Sequence, residues 1–171
     1  MADRTIFNRT YTAFTPNDTT TYLLNGGLRA TASGFNPTID IIAGEDMSQG
    51  TPVYVSGVTS ALRCFPAWGS SSAQNFEVAV IGFTDGPATK DDVVTIDVDG
   101  IVTIPGSQVS GEDALTPGRP YFLSEYRGEV TQQASPSGTI TQPDYKVSAP
   151  VGVAVTTTSL TIEIGAPTFL V

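Results

Sequence analysis

The chain has 171 residues, a length that fits one domain with its own hydrophobic core. It carries 8 Lys and Arg against 17 Asp and Glu, and the net charge of −9 disfavours nucleic acid as a partner, because phosphate binding needs clustered cations. With one cysteine (Cys64) and no histidine, the sequence excludes an internal disulfide, a cysteine-based zinc site and Ser-His-Asp or Cys-His catalysis.

The composition favours an all-β fold. The sequence contains 24 Thr and 16 Val but only 8 Leu, and Thr and Val suit a pleated strand better than a helix. It also contains 17 Gly and 12 Pro, which separate short strands by turns. The longest apolar run, residues 78–83, is far below the roughly 20 residues of a membrane helix, so no membrane partner is expected. Residues 1–5 lack the apolar segment of a secretory signal, and we therefore expect synthesis in a cytoplasm.

Residues 1–35 differ in pattern from the rest of the chain. Polar and apolar residues alternate over 10–15, a turn follows at 16–18, and three of the eight basic residues lie here. This pattern predicts an extended N-terminal arm or an added strand pair, followed by a β domain over 36–171. The alternative is that the segment packs as an ordinary first strand of the domain.

Regular strand patterns begin at about residue 39. In residues 94–99, apolar Val94, Ile96 and Val98 alternate with Thr95, Asp97 and Asp99, which predicts a strand with both aspartates on its solvent face. The Asp99-Gly100 dipeptide precedes a second apolar run at 101–104, and this arrangement predicts a hairpin between the two runs. Residues 126–128 predict another hairpin, between 121–124 and 129–131.

An internal repeat is the most informative feature of the sequence. A Gly-Glu-Asp triplet at 44–46 is followed by Gly50-x-Pro52, and the same triplet at 111–113 is followed by Gly118-x-Pro120. Ile81-Gly82 then matches Val151-Gly152, and residues 94–98 match 160–164. We therefore predict a tandem duplication, with repeat one at about 44–110 and repeat two at about 111–165. Each proline is expected to start a strand, and the two repeats together to close a small barrel or sandwich.

Few residues are candidates for chemistry. Asp91, Asp92, Asp97 and Asp99 form an acidic patch, which is compatible with a calcium site or a carboxylate pair but is more typical of a charged sheet edge. Cys64 has no histidine to activate it, and we expect a small buried apolar side chain. No enzymatic activity and no cofactor are therefore expected.

Two aromatic residues are candidates for an interface. Trp68 precedes a Ser-rich loop and is interpreted as an interface anchor, a sugar platform or a cap on the core. Tyr126, in the second predicted hairpin, is the residue expected to accompany it.

The duplicated motif resembles a known family. The repeated pattern is similar to the small β domains of tailed-bacteriophage virions. It consists of G-E-D, G-x-P-V-Y-V-S, A-V-I-G-F, V-T-I-D-V-D-G and G-x-P-Y-F-L-S-E-Y-R-G, and it ends in P-V-G-V-A-V-T-T-T-S-L-T-I-E-I-G. Such domains occur in head decoration (cement) proteins and in the base of head fibres. The resemblance covers residues 39 to 165 and consists of turn and strand signals, and it brings no catalytic residues.

The resemblance implies a structural virion protein on the outer capsid surface. Its partners would be the major capsid (coat) protein and other copies of itself in a homotrimer, and it would stabilise contacts between coat subunits. A receptor-binding or fibre/spike adhesion module of a phage virion is the alternative, with Trp68 and Tyr126 as glycan-binding aromatics. For capsid binding, the expected contacts are residues of the arm, namely Arg4, Phe7, Arg9, Tyr11, Phe14 and Tyr22.

Overall fold

The computed structural model describes residues 3–6, 9–12, 19–23, 29–33, 36–57, 62–69, 77–132 and 146–170. Side chains are described from residue 37 onward within these ranges, apart from residues 146, 147, 169 and 170. Strands make up most of the regular structure in the described residues, which also include one short 3-10 helix at Gly106–Gln108. The strands are β1 (Asp3–Ile6), β2 (Arg9–Thr12), β3 (Thr19–Leu23), β4 (Arg29–Ser33), β5 (Asn36–Ala43), β6 (Pro52–Ser56), β7 (Arg63–Pro66), β8 (Gly82–Thr84), β9 (Val93–Asp97), β10 (Ile101–Thr103), β11 (Pro120–Leu123), β12 (Val130–Thr131), β13 (Lys146–Ser148), β14 (Pro150–Ala154), β15 (Ser159–Ile162) and β16 (Thr168–Leu170).

Five strands of the first half form a closed barrel. Strand β5 pairs antiparallel with β9 and parallel with β7, and the ring continues from β7 through β6 and β8 back to β9. The ring closes the five strands on one another and leaves the first half of β5 with one edge that β7 does not cover. The prediction of an all-β fold is confirmed, and the first half is a barrel. Its core is a cluster of buried residues: Ile39, Ile41, Ala43, Met47, Val53, Cys64, Val94 and Ile96.

The second half repeats the strand order of the first. The first half has the order β5-β9-β8-β6-β7, and the second sheet has the order β10-β15-β14-β11-β12. A parallel bridge between Val109 and Val130 lies where β5 contacts β7 in the first half. The fold is therefore built from two tandem pseudo-repeats, but the predicted bounds of 44–110 and 111–165 begin each repeat one strand too late, because β5 pairs with β9 and β10 pairs with β15. We name residues 36–97 the first unit and residues 101–162 the second unit, because strand pairing groups β5 with the former and β10 with the latter.

The repeated Gly-x-Pro motif forms the same turn in both units. The N–H of Gly50 donates to the carbonyl oxygen of Thr84 at 2.9 Å, and the N–H of Gly118 donates to that of Ala154 at 2.8 Å. The two glycines have φ values of 74° and 78°, the left-handed region that other residues enter only at a cost. As predicted, the proline two residues later begins a strand, β6 in the first unit and β11 in the second.

Equivalent hydrogen bonds correct part of the sequence-based alignment. The N–H of Asp85 donates to the carbonyl oxygen of Thr95 at 3.0 Å, and the N–H of Val155 donates to that of Ser159 at 2.8 Å. Thr95 therefore corresponds to Ser159, whereas the sequence alignment matches it with Thr161. The alignment of 94–98 with 160–164 is wrong by two residues. A shift of two preserves the alternation of a strand, so the pattern alone did not reveal it.

One predicted hairpin is wrong and the other is confirmed. Strand β9 pairs with β5 on one edge and β8 on the other, so no edge remains for β10, which pairs with β15 instead. Asp99-Gly100 is thus the crossover between the two units. The turn at 126–128 does join an antiparallel pair, β11 and β12, with Gly128 at a φ of 79°.

The N-terminal strands form two hairpins. Strand β1 pairs with β2 alone among the described strands, whereas β3 pairs with β4, and β4 continues onto the first half of β5. Part of the segment interpreted as an extended arm is therefore an added strand pair on the edge of the barrel sheet. Near the other end of the chain, β13 pairs with β16 in a separate two-stranded ladder.

Candidate docking site at the junction of the two units

The two units meet where the segment after β7 runs alongside the turn between β11 and β12. The N–H of Gly128 donates to the carbonyl oxygen of Ala67 at 2.8 Å, and the N–H of Gly69 donates to that of Ser124 at 2.6 Å. Trp68 lies between these two hydrogen bonds on the segment after β7, and Tyr126 lies between their partners, Ser124 and Gly128. The structure therefore places the two aromatic residues singled out in the sequence on adjoining segments of one junction.

The two aromatics differ in exposure. Tyr126 is 59% exposed, and its backbone N–H donates to the buried Ser124 hydroxyl at 3.0 Å, which fixes the turn that carries it. Trp68 is half-buried, and its indole N–H is buried with no acceptor in the described part of the chain. Of the two, Tyr126 is the one whose side chain is available to a partner, and exposed aromatic residues of this kind contribute much of the contact energy at binding surfaces.

Arg127 connects the turn to the first unit. Its Nη1 lies 3.0 Å from Oε2 of Glu45, and its side chain also hydrogen-bonds to the buried Tyr54. Burial raises the pKa of the Tyr54 hydroxyl, the nearby Glu77 raises it further, and the hydrogen bond from Arg127 opposes both. The phenol thus stays neutral and accepts from the guanidinium, which joins one side chain of the second unit to two of the first.

A small polar cleft of about 220 Å³ lies beside this ion pair. Thr51 Oγ1 is 3.2 Å from Gln108 Oε1 across the cleft, and Asp46 Oδ1 accepts from the backbone N–H of Lys90 at 2.8 Å. Because its polar groups already bind one another, the cleft offers hydrogen bonds at its rim and no free nucleophile–base pair. The lining consists of Glu45, Asp46, Met47, Ser48, Thr51, Pro66, Gln108, Arg127 and Gly128.

The acidic patch does not converge as a calcium site or carboxylate pair would require. The prediction that Asp97 faces solvent with Asp99 is wrong: Asp97 is only 6% exposed, whereas Asp99 is exposed. Asp97 pairs with the fully buried Phe83 on the outward face of the barrel, which the cluster shared with the second unit covers; burial, with a further contribution from Asp85, raises the pKa of its carboxyl to about 6. In the described part of the chain, no group of three potential metal ligands comes together.

Asp91 has a structural contact of its own. It has a φ of 73°, and its carboxylate pairs with Arg63, whose Nη1 also reaches the carbonyl oxygen of Ala43 at 3.3 Å. The ion pair and the turn thus close the end of the barrel beside β5. Cys64 is fully buried, which raises the pKa of its thiol to about 11, so its role as a small apolar side chain is confirmed.

The predicted arm contacts fall on several N-terminal segments. Arg4 lies on β1, Arg9 and Tyr11 on β2, and Tyr22 on β3. Phe7 and Phe14 lie outside the described residues. These positions leave the role of the six residues in capsid binding a prediction.

The sequence did not reveal that the two glutamates of the repeated triplet have different partners. Glu45 binds Arg127 of the other unit, whereas Glu112 accepts from Gln132 Nε2 at 2.8 and 2.9 Å and from the Tyr121 hydroxyl at 3.3 Å within its own unit. The repeated triplet indicated a conserved turn shape but carries no signal for this divergence.

The fold and junction define a protein of two β units, with exposed Tyr126 and half-buried Trp68 on adjoining segments where the units meet. No family model matches the sequence, and no curated protein or solved structure matches it. The described residues include no helix long and apolar enough to span a membrane.

Proposed function

We propose that the chain is a decoration protein of a tailed-bacteriophage head, which binds the outer capsid surface and stabilises contacts between coat subunits. The observation that carries the proposal is the junction itself: backbone hydrogen bonds join the two β units, and Tyr126 is 59% exposed on the turn that makes them, with no catalytic arrangement among the described residues there. The resemblance of the repeated motif to virion β domains supplies the class of partner, since fold alone does not determine function.

The charge and the rigidity of the molecule support the proposal. A chain of net charge −9 is repelled by packaged DNA, so it suits the outside of a shell. Paired strands with a closed first unit hold the junction in one geometry, which lowers the entropic cost of docking. Copies associated as a homotrimer would add their contacts, and such multivalency strengthens attachment without a single tight site.

The test uses virions produced by the genome that encodes this chain. Mass spectrometry of purified particles should find the chain in a fixed ratio to the coat protein, and cryo-electron microscopy should place it outside the shell. Its absence from particles, or a location inside the shell, would reject the proposal.

Two variants then locate the contacts. Deletion of residues 1–12 removes β1 and β2, which pair only with each other in the described structure, so the remaining pairings are preserved. Capsid co-sedimentation should fall for this variant and for Tyr126→Ala, while Val93→Thr, a change at an exposed position of the first unit, should bind as the parent does. Unchanged binding by the deletion variant would remove the arm from the proposal.

An adhesion module is the second candidate, and the polar cleft lined by Arg127 and Gly128 favours it. Its hydroxyl, amide and carboxylate groups suit a sugar ring, and Tyr126 is exposed on the same turn as Arg127. Glycan-array binding that disappears in Tyr126→Ala would support this candidate. Decoration of the shell lattice with no glycan binding would count against it.

A further inference from the structure

Four oxygen atoms of the second unit converge on the side-chain amide of Gln132. The Nε2 atom lies 2.9 and 2.8 Å from the two carboxylate oxygens of Glu112, 2.8 Å from Thr116 Oγ1 and 3.0 Å from the Tyr121 hydroxyl. We name Glu112, Thr116 and Tyr121 the oxygen cage. Tyr121 is fully buried and forms the inner side of the cage, whereas Glu112 and Thr116 are exposed, so the cage opens to solvent.

The glutamine amide matches the oxygen cage poorly. An amide nitrogen carries two hydrogens, so at least two of the four oxygens receive none from Gln132. The opposite orientation of the amide would be worse, because its oxygen would then face both carboxylate oxygens of Glu112. The amide is also neutral, and among the described side chains Glu112 has no cation within ion-pair distance. The cage thus surrounds one point with more acceptors and more negative charge than a glutamine satisfies.

A primary ammonium group fits the oxygen cage better. The ammonium of a lysine side chain has three donor hydrogens, no acceptor and a full charge on one compact group. Its hydrogen bonds to a carboxylate are about twice as strong as those between neutral groups. The planar fork of an arginine suits two parallel oxygens, not four oxygens around one point. The geometry therefore favours lysine over arginine.

The first unit provides an internal comparison. Glu45 is the equivalent of Glu112 in the repeated triplet, and it binds Arg127, a cationic side chain of the adjoining unit. The strand register makes Pro66, which has no side-chain donor, the equivalent of Gln132. The glutamate of the first unit thus receives a cation from a neighbour, whereas that of the second unit receives a neutral amide from its own unit.

We propose that the oxygen cage binds the ammonium group of a lysine side chain on a partner protein, and that Gln132 occupies the cage in the free chain. On binding, the ammonium displaces the Gln132 amide and forms an ion pair with Glu112. The net charge of −9 attracts a lysine-bearing surface from a distance. The proposal rests on the second unit and not on attachment to a capsid, so either can fail without the other.

The experiment is an NMR titration of the isotopically labelled full chain, in which the side-chain amide of Gln132 reports on the oxygen cage. The probe is the peptide acetyl-Gly-Lys-Gly-amide, compared with the peptides that carry norleucine or arginine in place of lysine. The lysine peptide should shift the Gln132 resonances saturably at concentrations up to about 100 mM. The norleucine peptide, which lacks the charge, should not shift them, and the arginine peptide should bind more weakly than the lysine peptide.

Three variants locate the contact. Glu112→Gln removes the charge of the cage and should weaken binding of the lysine peptide at least about tenfold. Glu163→Gln is the matched control, since Glu163 is exposed just after β15 and outside the cage, and it should bind as the parent does. Gln132→Lys supplies an ammonium from within the chain and should block the peptide. In that variant the reporter is the backbone N–H of Thr116, which donates to the Tyr121 hydroxyl at 2.8 Å.

Each contrary outcome overturns the proposal. The absence of a saturable shift with the lysine peptide would show that the oxygen cage binds no ammonium group. Equal weakening by Glu112→Gln and Glu163→Gln would show a general attraction to the acidic surface. Equal binding of the arginine and lysine peptides would assign the contact to the carboxylate alone, and undiminished binding by Gln132→Lys would place it elsewhere.

Discussion

Arg127 of the second unit binds Glu45 of the first through an Nη1–Oε2 contact of 3.0 Å. Both side chains are about 40% exposed, so the ion pair is screened by solvent and contributes little by itself. The guanidinium also donates to the hydroxyl of Tyr54, a residue that is only 5% exposed. We therefore expect Arg127 to stabilise the fold more through its contact with Tyr54 than through its ion pair with Glu45.

Substitutions at the two ends of this ion pair should have unequal effects. Glu45→Gln should lower the free energy of unfolding by less than about 1 kcal/mol, as for exposed ion pairs. Arg127→Ala should lower it by about 1–3 kcal/mol, because a buried hydroxyl loses its donor. Urea unfolding of both variants measures the difference, and equal losses would show that the Tyr54 contact contributes nothing.

Asp97 makes stability depend on pH. The pKa of its carboxyl is raised from 3.8 to about 6, first by burial and then by Asp85. Between pH 3.8 and about 6 the folded chain binds more protons at Asp97 than the unfolded chain does. The contribution of Asp97 to the free energy of unfolding therefore falls as the pH rises from 3.8 to about 6. Above pH 6 the buried charge therefore remains destabilising.

The substitution Asp97→Asn removes that charge and should raise the free energy of unfolding at pH 7.5 by about 2–3 kcal/mol. The gain should shrink towards zero near pH 4, where the parent carboxyl is neutral in the fold. Thermal unfolding at several pH values measures it, with exposed Asp99→Asn as the control that should not change stability. A gain that is the same at every pH would exclude titration of Asp97 as its cause.

Turn residues in the sequence predicted the turns correctly, whereas the wrong predictions concern strands that pair with strands far away in the chain. Gly118-x-Pro120 and the turn at 126–128 contain their own turn residues, so these elements were predictable. The predicted hairpin at Asp99-Gly100 is wrong because β10 would have to pair with β9, and β5, which lies about 55 residues before β9 in the chain, already pairs with that edge of β9. The burial of Asp97 has the same origin, since alternation cannot show that a second layer covers the outward face.

For the candidate site, the sequence predicted which types of residue to consider but not which of them lie close together. Trp68 and Tyr126 stood out in the sequence as large aromatics beside turns, but their placement on adjoining segments depends on the hydrogen bond from Gly69 to Ser124. The ion pair between Glu45 and Arg127 joins residues 82 positions apart, and neither has a motif that points to the other.

The two equivalent glycines offer a matched pair of substitutions. Gly50 and Gly118 both have positive φ, so alanine at either position should cost about 1–2 kcal/mol of stability. A Cβ at Gly50 would also lie 2.6 Å from the carbonyl oxygen of Thr103, whereas a Cβ at Gly118 meets nothing within 4 Å. Gly50→Ala should therefore be the more destabilising of the two in chemical denaturation, and equal losses would argue against close packing of the two units at Gly50.

Phe83 and Val153 are equivalent residues in different environments, and they test the asymmetry between the units. Phe83 is fully buried between the units, so Phe83→Ala should remove about 3–5 kcal/mol of stability through lost burial and a cavity. Val153 is half-buried on β14, and Val153→Ala should cost less than about 1 kcal/mol, because solvent replaces the lost methyl groups. Unfolding by urea at low concentration measures both values. A cost for Val153→Ala close to that of Phe83→Ala would mean that the outward side of β14 is covered as fully as that of β8.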